Sequence, residues 1–198
     1  MQSPPIILSF ASPFAESDFA ELRNDFDTSG IPLETEDRGH RGPQAGIEWL
    51  LPTAVILFIG KSYFDGILKE IGKDHYLLLK QATKGLYKRV IGPQAPELTL
   101  IGSPGKLSAT RKYSLLFSLL AEADDGLGFK LLIQESASEA EYDSTIKAFL
   151  EFLDAFHSRK LTAESVEEIS KIRVVGKTML LAYNKDQGRV IPVDPMPK

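Results

Sequence analysis

Pro52 and Gly60 bracket a stretch, Thr53 to Ile59, in which Val55, Ile56, Phe58 and Ile59 leave neither alternating face polar. A strand of this kind has to be covered on both sides, as an inner strand is in a sheet layered with helices. The rival is one long helix running on from Ile47. It would carry Gly60, Gly66 and Gly72 inside it, each costing about 1 kcal/mol relative to alanine. The strand is therefore the expectation, and an α/β fold follows from it. The wider apolar run, Trp49 to Ile59, reaches only about half of the roughly 20 residues that a membrane-spanning helix needs, and Pro52 interrupts it. It reads as a buried core element, and no membrane partner is expected.

The flanking residues fit the same architecture. Ile6-Ile7-Leu8-Ser9-Phe10 reads as a buried strand that Ser12-Pro13 ends. Phe14, Phe19, Leu22 and Phe26 then recur near helical spacing among acidic residues, and Ser29-Gly30 stops that helix. Ile31 to Thr35 resumes an extended pattern, so strand, helix and strand follow one another at the spacing of a parallel crossover unit. Residues 36 to 46 are polar and glycine-rich and read as a loop over the carboxyl end of the second strand, the edge where open parallel sheets take their ligands. Residues 61 to 91 read as helical, with Phe64, Ile67, Leu68, Ile71, His75, Leu78, Ala82 and Leu86 along one stripe. Leu98 to Ile101 reads as a fourth strand.

After the turn at Gly102 to Lys106 the order changes. Ser114 to Ala121 and Phe129 to Glu135 flank Asp124-Asp125-Gly126 as an antiparallel hairpin. Glu139 to His157 is an amphipathic helix, and Thr162 to Ser170 a shorter one. Val174 to Tyr183 and Arg189 to Val193 form a second hairpin. The expected organisation is a parallel-sheet α/β domain over residues 1 to 105. An α+β strand-strand-helix-strand-strand part over residues 106 to 198 stands alone or extends the first sheet.

Composition narrows the function classes. The 198 residues carry a formal net charge of −4, which argues against a nucleic-acid partner, since a polyanion draws a basic domain. With no cysteine, disulfides, thiolate catalysis and sulfur-ligated zinc are excluded. The opening Met1-Gln2-Ser3-Pro4-Pro5 lacks the basic start and apolar run of a secretory signal, so a cytoplasmic location is expected.

Few motifs carry chemistry. Gly60-Lys61-Ser62 and Gly176-Lys177-Thr178 hold only the last three letters of a phosphate-cradling loop, with Val55 and Lys171 where its first glycine belongs. His40, His75 and His157 form no close pair in the sequence, and no metal site is expected. His75 falls on the apolar stripe and reads as a packing residue. His157 closes a helix, where a cation offsets the dipole. His40 shares the edge loop with Asp37, Arg38 and Arg41, either as a ligand-binding residue or as part of a solvated loop.

Several short stretches between residues 5 and 72 resemble the Toll and interleukin receptor (TIR) domain family. Ile7-Leu8-Ser9-Phe10-Ala11-Ser12 resembles the family's opening strand with its serine-containing loop, and Phe19-Ala20-Glu21-Leu22 the helix that follows. Glu36-Asp37-Arg38 with Gly42-Pro43 resembles the loop after the second strand, and Val55 to Tyr63 the third strand. A flavodoxin-like sheet accommodates the same element order. The TIR resemblance implies, as one reading, an NAD glycohydrolase activity, with NAD as substrate and Glu70 near the catalytic glutamate of enzymatic members. There a carboxylate in a dry pocket stabilises the ribosyl cation as nicotinamide departs. The same resemblance puts Ser9 and Ser12 toward the ribose and Arg38 or Arg41 toward phosphates. The plain alternative for Glu70 is an ion pair on a surface helix.

Charge distribution is the clearest physical signal. Residues 16 to 37 hold eight acids against the single Arg23, whereas residues 75 to 92 hold Lys80, Lys84, Lys88 and Arg89 with no acid. The lysines recur every fourth residue and share one helix face. That face is either simply solvated or a ridge that meets the acidic helix of a second copy, a heterologous contact that builds rings or filaments. The first functional expectation is thus a non-catalytic interaction module, without a cofactor, that binds itself or a protein partner in a signalling or defence assembly. The alternative is the TIR-like NAD glycohydrolase.

Overall fold

Among the described residues the chain forms α/β structure around one seven-stranded mixed sheet. The computed structural model describes residues 6–39, 53–66, 72–92, 95 and 112–195. In chain order these are β1 (Ile6–Phe10), α1 (Ala20–Thr28), β2 (Leu33–Asp37), β3 (Val55–Ile59), α2 (Lys61–Gly66) and α3 (Gly72–Val90). Then follow β4 (Phe117–Glu122), β5 (Gly128–Leu132), α4 (Glu139–His157), α5 (Ala163–Lys171), β6 (Thr178–Asn184) and β7 (Arg189–Val193).

The stretch after Pro52 is a strand, and it is inner. β3 pairs with β1 on one side and β4 on the other, and Val55, Leu57 and Ile59 are buried. The Pro52–Gly60 punctuation therefore marks the strand, and a helix begins directly after Gly60.

The expected first crossover exists, since β1 and β2 are parallel with α1 between them. A wholly parallel first sheet does not exist, because β3 runs antiparallel to β1. Arg38 N–H donates to the Phe10 carbonyl and Ala11 N–H to the Ala54 carbonyl. The exits of β1 and β2 and the entrance of β3 therefore share one end of the sheet. β2 thus leaves the sheet at the end where β3 enters it, as antiparallel strands do without needing a crossover. β3 and β4 are parallel, as are β5 and β6, while β4–β5 and β6–β7 are antiparallel. The β3–β4 pairing joins the later strands to the same sheet as the earlier ones.

Smaller boundaries also differ from expectation. Glu36 and Asp37 belong to β2 and not to the loop after it. Within the helix expected over 61 to 91, the described stretches α2 and α3 are helical, and 67–71 lie outside the described residues. The last hairpin's first strand starts at Thr178, because Gly176 and Lys177 adopt φ of 60° and 59° and turn the chain. The fourth strand expected at Leu98 to Ile101 lies outside the described residues.

The main core occupies one face of the sheet. Ile6, Leu8, Phe10, Leu57, Phe117, Leu119, Phe129, Leu131 and Leu181 meet Phe26 of α1, Tyr63 of α2, Leu79 of α3 and Phe149 of α4. The Ser138 hydroxyl accepts from Glu141 N–H, and the Glu141 carboxylate accepts from Ser138 N–H in return, which starts α4 where its apolar stripe begins. Tyr142, buried in that stripe, donates its hydroxyl to the Thr83 carbonyl of α3 at 2.8 Å. The alternate residues of the strands face the other way, where Tyr113, Leu132, Leu180 and Ala182 form a smaller cluster. Among the described residues no helix is long and apolar enough to cross a membrane.

Candidate functional site

The alternation that sends Leu8 and Phe117 into the core sends Ser9 and Ser118 to the opposite face. Across the sheet Ser9 lies beside Ile56, and Ile56 beside Ser118. Lys130 of β5 emerges on that same face, opposite Leu120. Ser9, Thr53, Ser118 and Lys130 are all buried. Polar groups taken out of water must be hydrogen-bonded to be tolerated, and much of that bonding is visible. The Ser9 hydroxyl donates to Glu36 Oε2 at 2.8 Å. Thr53 Oγ1 and Ser118 Oγ stand 2.6 Å apart.

Arg38 fastens the strand ends that meet there. Its Nη2 donates to the carbonyls of Thr53 at 2.7 Å, Ala54 at 2.8 Å and Ser9 at 3.3 Å. One guanidinium at the end of β2 thus binds the end of β1 and the entrance of β3. Burial, and to a lesser degree the Arg38 charge, pushes the Lys130 ammonium down to about 8. The cluster thus gathers two cations, the Glu36 carboxylate and three hydroxyls around one end of the sheet.

Of the residues expected at the ligand edge, Ser9 and Arg38 come together in this cluster. Ser12 lies just beyond it, exposed, with its amide donating to the Gly39 carbonyl at 3.3 Å. His40, Arg41 and Glu70 lie outside the described residues. Thr53, Ser118, Glu36 and Lys130 were not anticipated. The signal that could have found Lys130 is its position in Phe129-Lys130-Leu131-Leu132, one charge inside an otherwise apolar strand.

The basic ridge is partly neutralised inside the chain. Lys84 reaches across to α4, to Glu139 at 2.9 Å and Asp143 at 3.8 Å. Those carboxylates raise the Lys84 ammonium above its ordinary value, the Glu139 hydrogen bond first, and Lys84 in turn lowers Glu139. Arg89 donates to the Asp18 carbonyl and to Glu21 of α1 at 3.4 Å. The acidic helix and the arginine that ends the ridge therefore meet within one molecule. Among the described residues Lys80 and Lys88 have no ion pair in the chain, and neither do Asp25, Asp27 and Glu34 along α1 and β2.

The two abbreviated phosphate-loop motifs have other duties. The Lys61 amide at the start of α2 donates to Glu122 Oε2 at 2.9 Å, and Lys61 Nζ to Asp124 at 2.6 Å. Carboxylates occupy the positions a phosphate would need. Gly176-Lys177 is the turn into β6. His157 closes α4 as expected and stacks on Phe64 with ring centroids 4.2 Å apart. Among the described residues no three histidine or carboxylate side chains gather as a metal site.

No protein-family model matches the chain, and no curated protein or solved structure matches it.

Proposed function

We propose that this protein is a non-catalytic α/β interaction module that associates head to tail. In this reading the acidic margin formed by α1 and β2 in one copy meets the outer face of α3 in the next. One observation carries it: Asp25 and Asp27 on α1, Glu34 on β2, and Lys80 and Lys88 on α3 stand without an ion-pair partner among the described residues. Leu77, 51% exposed, lies one turn before Lys80 on α3 and supplies an apolar anchor for the same contact. The two surfaces differ, so each copy has one of each to offer, and association propagates into rings or filaments. Such a module suits the scaffold of a signalling or defence assembly, the setting that the TIR resemblance implies.

Exposed ion pairs contribute only about 0–1 kcal/mol each, so the contact is weak and needs high protein concentration and low salt. Screening beyond about 10 Å at 0.1 M salt loosens it further. Sedimentation velocity at low and high salt is the direct test. Lys80→Glu with Lys88→Glu makes both surfaces acidic and yields a monomer. Asp25→Lys with Glu34→Lys makes both basic, with the same result. Mixing the two variants restores association, because each supplies what the other lacks. A monomer at high concentration whatever the salt refutes the reading.

A further inference from the structure

Helices α2, α3 and α4 leave between them a cleft of about 390 Å³, within the roughly 300–1,000 Å³ typical of small-molecule sites. Its described lining divides by height. Tyr63, Phe64, Leu79 and Leu150 are buried and form the floor, and Tyr76 is half-buried on one wall. Lys147, Glu151 and Asp154 stand at the mouth. The α4 residues recur at helical spacing, so one face of that helix presents Leu150 below its charged neighbours.

The floor is held firmly. Phe64 meets Tyr63 edge-on at 5.4 Å and is stacked on His157 from the other side. The mouth is acidic. Lys147 lies 3.8 Å from Glu151, so its charge is spent against one carboxylate while Asp154 adds a second. Tyr76 and Glu151 line the same cleft, and burial, then the negative charge of Glu151, raises the Tyr76 phenol above its ordinary value. Aromatic faces attract cations and repel anions. An anionic ligand would meet a mouth with one net negative charge and three rings, whereas a protonated amine finds both favourable.

We propose that this cleft binds a small organic amine, with an aromatic or aliphatic body on Tyr63, Phe64, Leu79 and Leu150 and its ammonium at Glu151 and Asp154. The site is separate from the strand-end cluster and from the surfaces assigned to self-association, so neither reading depends on the other.

Three probes of similar size and different charge test it on the whole protein by titration calorimetry or ligand-observed NMR: 2-phenylethylamine, 2-phenylethanol and phenylacetate. The amine is expected to bind about ten-fold more tightly than the alcohol, and phenylacetate more weakly than either. Glu151→Gln with Asp154→Asn, at exposed positions, removes the preference of amine over alcohol. Leu150→Trp fills the floor and abolishes binding of all three. Should that variant fail to fold, the charge-neutral double variant decides alone. The proposal is overturned if the amine shows no saturable binding up to about 10 mM. It is equally overturned if the alcohol or the acid matches the amine, or if the double variant binds the amine unchanged.

Discussion

Lys130 gives the fold a measurable dependence on alkaline pH. Its ammonium has an ordinary value of 10.5 and is pushed down to about 8, chiefly by burial on β5 and secondarily by Arg38. Between those two values the unfolded chain holds a proton that the folded chain has released. Stability therefore rises with pH across that window. From about pH 7 to about pH 9.5 the gain amounts to about 2 kcal/mol. The range stops there because burial raises the Tyr63 and Tyr142 phenols, which costs stability as the pH climbs past their unfolded value. Lys130→Met keeps the length of the side chain and removes the titration. For a urea slope of about 2 kcal/mol/M the wild-type midpoint should climb about 1 M further than the variant's across that range. Urea unfolding followed by circular dichroism at closely spaced pH values reads this directly. Parallel curves for the two proteins would falsify the claim that the amine is desolvated.

Other consequences are more local. Phe149 of α4 is fully buried in the main core, and Phe149→Ala should lower unfolding stability by about 3–5 kcal/mol, measurable in urea. The Glu141 carboxylate is held down to about 2, first by the Ser138 backbone amide and then by Lys185. Its contribution is complete above the ordinary carboxylate value and is lost as the pH falls toward 2. Glu141→Gln removes the titrating group and should therefore lower the stability at neutral pH and flatten its decline in acid, as thermal melts between about pH 6 and 3 would show. Under the proposed function, incubation with NAD even at high protein concentration should release no nicotinamide, and release that Glu70→Gln abolishes would overturn it.

Local elements were legible because their signals are local. The apolar face of Tyr142, Ile146, Phe149, Leu150, Leu153 and Phe156 marks α4, and its observed limits, Glu139–His157, coincide with the expected ones. Asp124-Asp125-Gly126 between two apolar runs marks the β4–β5 hairpin. The polar cluster was legible only in part. Ser9 and Arg38 sit at the ends of strands, where the polar positions stand out. Ser118 and Lys130 acquire meaning only once β1, β3, β4 and β5 lie side by side and bring residues from distant segments to one face.

Periodicity and punctuation alone thus determined that the chain is α/β and that an inner strand lies between Pro52 and Gly60. They also placed two helices and two hairpins in the later part. Tertiary structure decided that β3 runs against β1, that all seven strands share one sheet, and that Arg38 binds three carbonyls at its end. It also decided that Lys84 and Arg89 spend their charge within the chain. The reason is that a side-chain period is written into neighbouring residues, whereas the direction of a strand and the partner of a charge depend on where the chain returns. An apolar strand covered on both faces satisfies its burial equally well in either direction.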